Sequence, residues 1–356
     1  MTTFKQSVGI DISMASFTAC ICFRHENDSL SYSEIKNFKN EKTGFNQLLK
    51  WVRKACNSKI ETVFLMEATG VYYECLANHL YVLSQIVHVV LPNTSKHYFS
   101  SLNIKTKTDA VDARILSRFG AERLHQTWQP PNPLLLELRN LTRYYVQLQE
   151  QKTAINNIKH SKEESFEVQK FIIQSNKKLI DQIDKQIQMC RIKIEQLIMS
   201  DEKLAKKVEK ILTIKGVGIL TIATIIAETL GFERVRNVKQ LVSYAGYDVV
   251  ERESGTSIKG KTRISKRGNR YIRNALYFPG MVACRYNPDL KKNYIRIIQR
   301  KPSKMIGQVA IQRKLLILIY TLWKNENVFV ENYKKIAPKK SEATQDSISD
   351  EVLLLK

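Results

Sequence analysis

Residues 105–116 read KTKTDAVDARIL and combine the start of a helix with two carboxylates. Thr108 is a good N-cap residue, and acidic side chains after it favour a helix beginning at Asp109. Asp109 and Asp112 are three residues apart, so they share one helix face and suit a hard cation held beside phosphates. An acidic first turn that only complements the helix dipole is the alternative. The flanking cations are predicted phosphate contacts: Lys105, Lys107 and Arg114.

Two further carboxylates stand at the ends of apolar runs. Asp11 follows the run QSVGI, and Glu67 follows ETVFLM. Strands alternating with helices predict an α/β sheet, and ligands bind at the carboxyl edge of such sheets. We therefore expect these two carboxylates and the helix pair to converge. Four carboxylates repel one another unless metal ions neutralise them, so we predict Mg²⁺ or Mn²⁺ serving phosphoryl transfer. Taken singly, Asp11 fits a strand-end turn residue and Glu67 a helix cap.

The charge of the chain predicts a polyanionic partner. The sequence has 57 Lys and Arg against 34 Asp and Glu, a net charge of +23. Nucleic acid is the first candidate, and a ribosomal or membrane surface is the alternative. No apolar run has the length of a membrane span, and the start MTTFKQSVGIDIS lacks a signal-peptide pattern. The six cysteines form no Cys-x-x-Cys pair, which argues against a zinc site or disulfide framework and favours the cytoplasm.

Two helical features follow the predicted sheet. No glycine or proline occurs from 146 to 208, and the apolar spacing there predicts a long helix or helix pair of coiled-coil character. It either packs on its own domain or forms a dimer. After it, ILTIKGVGIL (211–220) has the helix-hairpin-helix pattern, whose turn offers N–H groups to phosphate; plain turn chemistry is the alternative. The candidate contacts are Lys215, Gly216 and Gly218.

The C-terminal half contains a basic stretch. No acidic residue occurs from Ser254 to Pro288, where eight Lys and Arg residues stand. Such a cluster predicts a phosphate-backbone surface. The candidate contacts are Lys259, Lys261, Arg263, Lys266, Arg267, Asn269 and Arg273. Ser254, followed by Gly255, is a candidate nucleophile whose target phosphate these cations stabilise. Ser257 is its rival, and an ordinary loop serine is the simpler interpretation.

Five segments together resemble the insertion-sequence 110 family of transposases, relatives of the Piv- and MooV-type DNA invertases and described as bridge-RNA-guided recombinases. The segments are GID (9–11), MEATGVYY (66–73), KTDAVDAR (107–114), GVG (216–218) and ESGTSIKGKTRISKRGNRYIRNALY (253–277). They occur in the family's order and cover nearly the whole chain. One departure is that Asp248-Val249-Val250 stands where the family usually has a proline-containing turn.

The resemblance implies an α/β RuvC-like (RNase H-type) N-terminal domain and a mainly α C-terminal transposase domain. The family's D-E-D-D metal set falls on Asp11, Glu67, Asp109 and Asp112, and its nucleophilic serine falls on Ser254. We expect four segments: the DEDD domain at 1–145, a helical coiled-coil linker at 146–205, the transposase domain with its helix-hairpin-helix-like motif at 206–332, and a flexible tail at 333–356.

The main hypothesis is an RNA-guided DNA recombinase that forms a covalent 5′-phosphoserine intermediate. Its expected partners are double-stranded donor and target DNA, a structured guide RNA and further copies of itself, as a dimer and as a tetramer in the synaptic complex. One alternative is a RuvC-like Holliday-junction nuclease or protein-directed invertase that uses metal-activated water. The other is a non-catalytic nucleic-acid-binding protein. A covalent adduct separates the main hypothesis from the first alternative, and metal-dependent cleavage separates both from the second.

Overall fold

The computed structural model describes residues 2–329 except 168, 234, 252, 255–257, 261, 301–302 and 326–327. The chain forms two compact units, Met1–Pro131 and Asn132–Lys356. The predicted boundary at 145 falls within a continuous helix, Pro133–Glu163. The predicted tail at 333–356 lies outside the described residues.

The first unit is an α/β structure of six strands and four helices among its described residues. Its strands are β1 (Thr3–Ile12), β2 (Ser16–His25), β3 (Leu30–Tyr32), β4 (Lys36–Lys39), β5 (Thr62–Glu67) and β6 (Ile86–Val90). Its helices are α1 (Lys42–Ala55), α2 (Glu74–Val82), α3 (Pro92–Ser101) and α4 (Asp109–Glu122). The predicted α/β character of the N-terminal part is confirmed.

One mixed sheet has the strand order β3–β2–β1–β5–β6, with β4 also pairing β2. The strands β1 to β4 pair antiparallel, whereas β5 and β6 run parallel to β1. Helices cover both faces, which explains why β5 and β6 are continuous apolar runs.

The second unit is helical apart from four two-residue strands. Its helices are α5 (Pro133–Glu163), α6 (Lys170–Met199), α7 (Glu202–Leu212), α8 (Ile219–Thr229), α9 (Val238–Ala245), α10 (Arg270–Ala275), α11 (Tyr277–Tyr286), α12 (Pro288–Ile298) and α13 (Lys304–Asn325). Its strands are β7 (Val249–Val250), β8 (Glu253–Ser254), β9 (Ile258–Lys259) and β10 (Arg263–Ile264). The predicted helical character of the C-terminal part is confirmed.

The stretch without glycine or proline forms a helix pair. Lys152 of α5 pairs with Asp184 of α6 at 2.5 Å, and the Cys190 thiol donates to the Leu141 carbonyl at 3.3 Å. The two helices are therefore antiparallel. Three buried residues in the second half of α6 pack in the core of the same unit: Cys190, Ile194 and Ile198. A dimerising coiled coil stays a prediction.

Helix α13 lies in the core of the second unit. An 18-residue window of this 22-residue helix has a mean hydropathy of 1.3, so the helix is long and apolar enough to cross a membrane by length and composition alone. Four of its residues nevertheless have no exposed surface: Ile311, Leu315, Leu316 and Ile319. Packing within the unit therefore accounts for the apolar face of this helix.

Candidate active site

Three elements of the first unit position the four predicted carboxylates. Strands β1 and β5 are parallel neighbours, and their register pairs Ile10 with Met66. Asp11 and Glu67 come next on each strand, so they stand side by side at the carboxyl edge of the sheet. Helix α4 begins at Asp109, and the Thr108 hydroxyl caps it by accepting from the Val111 N–H at 3.3 Å. The first turn therefore contains both helix carboxylates, as predicted.

Helix α4 crosses β1 with its backbone almost touching the strand. A Cβ atom added to Gly9 would lie 1.9 Å from the Ser117 backbone nitrogen and 2.3 Å from the Ala113 carbonyl oxygen. One added to Gly120 would lie 2.1 Å from the Ser7 hydroxyl. Only glycine allows this approach at either position. The close crossing seats the first turn of α4 against the strand end at Asp11.

Neighbouring charges influence the protonation of Asp11 and Asp112. The pKa of Asp11 is raised to about 6, first by burial and then by the charges of Asp112, Asp109 and Glu67, against a lowering by Lys107. Burial also raises the pKa of Asp112, where Lys107 opposes the effect of Glu67 and Asp109. Charges interact this strongly only at short range. The cluster thus carries excess negative charge that a cation would neutralise.

Two hydroxyl groups orient Glu67, and neither was predicted as part of the site. The Ser95 hydroxyl of α3 donates to Glu67 Oε2 at 2.5 Å, and the Thr69 hydroxyl donates to Oε1 at 3.3 Å. Ser95 is buried, with 1% of its surface exposed. It therefore fixes one carboxylate oxygen, and the longer hydrogen bond from Thr69 engages the other.

The donor set suits a hard divalent cation. It consists of carboxylate oxygens only, which Mg²⁺ and Mn²⁺ prefer. Within the described part of the chain, no three Asp, Glu, His or Cys side chains are placed to hold one ion between them. The residues fit the cation in chemistry and charge, and the carboxylates would have to come closer together to chelate it.

Ser254 belongs to a β-hairpin of the second unit. Strand β7 pairs with β10 through Val250 and Arg263, and β8 pairs with β9 through Ser254 and Ile258. The backbone of Ser254 is therefore the end of β8. Residues 255–257, with the rival Ser257, lie outside the described residues, as do Lys261 and the side chains of Ser254 and Lys259.

Hydrogen bonds fasten the base of this hairpin. The Ser265 hydroxyl donates to Asp248 Oδ1 at 2.6 Å, and its N–H donates to the Asp248 carbonyl at 2.8 Å. Beyond them, a Cβ added to Gly268 would lie 2.5 Å from the Gly246 nitrogen. Asp248 thus makes a polar link where the family usually has a proline-containing turn.

A buried glutamate holds the helix that follows the hairpin, and sequence reasoning missed it. Glu228 of α8 accepts from Arg143 Nε at 2.6 Å and Nη2 at 2.8 Å, and from Asn269 Nδ2 at 2.5 Å. The Asn269 side-chain oxygen caps α10 by accepting from the Ile272 N–H at 3.1 Å. An isolated acidic residue in an apolar helix, as in IIAETLG, was the available signal, because a charge there requires a partner.

The predicted nucleic-acid contacts fall into three groups. Most are exposed: Lys105, Lys107, Arg114, Lys215, Gly216, Gly218, Arg263, Lys266 and Arg267. Asn269 and Arg273 are instead engaged within the unit, since Asn269 binds Glu228 and Arg273 donates to the Ala245 carbonyl at 2.7 Å. The third group, Lys259 and Lys261, lacks a described side chain.

The Gly216 turn joins α7 to α8. Gly216 has a φ of +87°, and an added Cβ would lie 2.4 Å from the Val282 side chain. Two features therefore favour glycine at this position: the left-handed backbone conformation and the close packing against α11. Gly218 is the N-cap of α8 and has no atom within 4 Å of an added Cβ. A helix-hairpin-helix role in DNA binding stays a prediction.

Family models match both units. A model for DEDD transposases of the IS110 type matches residues 8–161, and one for transposases of the IS116/IS110/IS902 family matches residues 208–295. The pilin gene-inverting protein of Moraxella bovis is 29% identical over 333 residues, covering 91% of this chain and 98% of that protein. Its Moraxella lacunata counterpart has the same identity and coverage. The Thermus thermophilus RuvC structure is 12% identical over 35% of this chain and 83% of that chain, with a TM-score of 0.23.

Proposed function

Since this chain belongs to the IS116/IS110/IS902 family of transposases and is a DNA-recombining enzyme, we propose that it cuts and rejoins DNA through Ser254 and a divalent-metal site. Asp11, Glu67, Asp109 and Asp112 form that site, and Mg²⁺ or Mn²⁺ is its cofactor. The observation that carries the metal site is the strand register that sets Asp11 beside Glu67 at the sheet edge. The pKa of Asp11, raised to about 6 first by burial and then by the charges of Asp112, Asp109 and Glu67, supports it. A sheet edge with this much uncompensated charge favours cation binding over a purely structural role.

Ser254 is the proposed nucleophile. Its hydroxyl oxygen forms a bond to the target phosphorus as the bond from phosphorus to the 3′ oxygen breaks, giving a 5′-phosphoserine and a free 3′ hydroxyl. The serine proton is lost to a base, and the departing 3′ oxygen takes up a proton. The phosphoester is conserved, so attack by a 3′ hydroxyl of another strand rejoins DNA without ATP. A bound divalent ion supplies charge stabilisation at the phosphate and the reacting oxygens.

The hairpin surroundings support this role for Ser254. Ser254 ends β8 and pairs with Ile258 of β9, and three cations are exposed at and after β10: Arg263, Lys266 and Arg267. Such cations stabilise the negative charge that grows on a phosphate under attack. The carboxylates belong to the first unit and Ser254 to the second, so we infer that the reaction requires both units, from one protomer or from two.

The substrates and partners are also proposals. Relatives named as pilin gene-inverting proteins suggest inversion or transposition of DNA segments. The charge of +23 suits the binding of several phosphate backbones, and we infer duplex DNA together with a structured guide RNA, whose base pairing would choose the sites. Joining two DNA sites requires more than one protomer, and we infer a dimer that pairs into a tetramer.

The test is to trap reactions on end-labelled DNA, denature the protein and look for protein-linked DNA. Wild type should form the adduct only with Mg²⁺ or Mn²⁺. Ser254→Ala should abolish it, whereas the matched variant Ser257→Ala should retain it. An adduct in Ser254→Ala would move the nucleophile to another residue. Metal-dependent cleavage without any adduct would favour the metal-activated water mechanism.

A further inference from the structure

Helix α7 has a lysine-lined groove on its outer side. Its buried residues Leu204, Val208 and Ile211 pack into the core of the second unit and fix how the helix is rotated. The groove has a volume of about 750 Å³. Its lining includes Lys203, Lys206, Lys207, Lys210, Glu209 and Thr213. Four lysines against one glutamate make this a strongly positive surface.

The lysines form one stripe along the helix. Residues three and four positions apart share a helix face, and the spacing 203, 206, 207 and 210 follows that rule. Seven residues at about 1.5 Å rise span roughly 10 Å. One strand of duplex DNA has a phosphate about every 3.4 Å along its axis, so the stripe matches about three phosphates.

The surroundings leave two of the four lysines available for a ligand. Lys206 pairs with Glu202 at 2.6 Å, and the Lys207 ammonium lies 5.0 Å from the Trp323 ring centre. Among the described residues, Lys203 and Lys210 form no ion pair. Val328 also lines the groove, and the neighbouring Phe329 N–H donates to the Thr213 hydroxyl at 3.1 Å.

We propose that this groove binds the phosphodiester backbone of duplex DNA, as a surface additional to the Ser254 hairpin and the Gly216 turn. The occupant is a repeating polyanion because the charges are spread along a stripe and do not converge on one point. Duplex DNA is the favoured source because DNA is what the family recombines. The proposal rests on the chain acting on DNA and is independent of Ser254 as nucleophile.

The experiment compares the full chain with the double variant Lys203→Gln/Lys210→Gln, using a short DNA duplex and an RNA duplex of the same sequence as probes. Fluorescence anisotropy across a salt series gives the slope of log affinity against log salt. Loss of two phosphate contacts should reduce the DNA slope by about 1.8 and weaken binding at least tenfold at about 0.1 M salt. Lys203→Arg/Lys210→Arg should bind like wild type.

The matched control is Lys50→Gln/Lys54→Gln, which removes two exposed lysines from α1 in the first unit. It should keep the wild-type slope, and thermal melts should show that all variants are folded. An unchanged slope for the α7 variant, an equal loss in the control, or a loss confined to the RNA duplex would each overturn the proposal. Adduct formation through Ser254 is measured separately, so its failure would not be mistaken for failure of the groove.

Discussion

Ser265 and Asp248 close the base of the hairpin that contains Ser254. The link is double, with a hydroxyl-to-carboxylate hydrogen bond of 2.6 Å and a backbone hydrogen bond of 2.8 Å. The Ser265 hydroxyl also accepts from the Arg267 N–H at 3.2 Å. Both strands of the hairpin are thereby tied to the turn after α9. Since the paired strands are only two residues long each, this base contributes much of the order of the hairpin.

Asp248→Ala should loosen the hairpin and slow formation of the Ser254 adduct. A hydrogen bond of this kind contributes about 1 kcal/mol, so the protein should remain folded. Amide hydrogen exchange should become faster in residues 249–264 and stay unchanged in α13. Asp248→Asn keeps an acceptor oxygen and should restore most of the order and activity. Wild-type exchange in Asp248→Ala would contradict a role for this link.

Gly9→Ala tests how the carboxylates are brought together. The new Cβ would lie 1.9 Å from a backbone nitrogen of α4, and backbone cannot rotate away as a side chain can. We expect a loss of about 1–3 kcal/mol or more in unfolding free energy, with weaker Mn²⁺ binding as α4 moves off β1. Gly218→Ala is the matched control, because its Cβ meets nothing within 4 Å. The loss of unfolding free energy from replacing this N-cap residue should stay under about 1 kcal/mol. Equal melting temperatures for the two variants would refute the close crossing.

The sequence predicts elements well where their burial is periodic or continuous. β5, β6 and the capped start of α4 were all expected, because apolar runs and an N-cap threonine are local signals. Helix α3 was missed, since PNTSKHYFSS has few apolar residues to set a period. A single long helix and a helix pair were both expected over 146–208, and the position of the break between α5 and α6 was not predicted because no glycine or proline marks it.

The site is predictable in composition and less so in its contacts. Four acids at strand and helix ends follow from pattern, whereas Ser95 lies 28 residues from its partner Glu67 and reaches it only through the fold. The sequence suggests that Asn269 and Arg273 are surface contacts for nucleic acid. In the structure, Asn269 instead donates to Glu228 and Arg273 donates to the Ala245 carbonyl. The hairpin was expected as a loop because strands of two residues leave no alternating pattern.

Replacing Glu228 should destabilise the second unit strongly. Glu228→Ala removes the partner of Arg143 and the acceptor of Asn269 at once, and breaking a buried ion pair typically costs about 3–5 kcal/mol. The half-exposed position of Arg143, with 40% of its side chain accessible, places the expected loss at the lower end. Denaturant titration followed by circular dichroism measures it. Arg143→Met/Glu228→Leu, which removes both charges, should recover much of the stability, and a double variant no better than Glu228→Ala would argue against the ion pair.

Asp11→Asn should make the metal-free protein more stable near neutral pH while abolishing recombination. The pKa of Asp11 in the folded protein is about 6, above its ordinary 3.8, so ionisation is penalised in the fold. Above pH about 6 the wild type carries that penalty, and it disappears as the pH falls through 6 toward 4 because the folded state takes up a proton. The stability advantage of Asp11→Asn over wild type should therefore be largest above pH 6 and vanish near pH 4.

Mg²⁺ should raise the melting temperature of wild type more than that of the variant, since the ion neutralises the charge that burial disfavours. Thermal melts of both proteins across this pH range, with and without Mg²⁺, measure both effects, and a pH-independent difference would show that Asp11 does not titrate in contact with the other carboxylates.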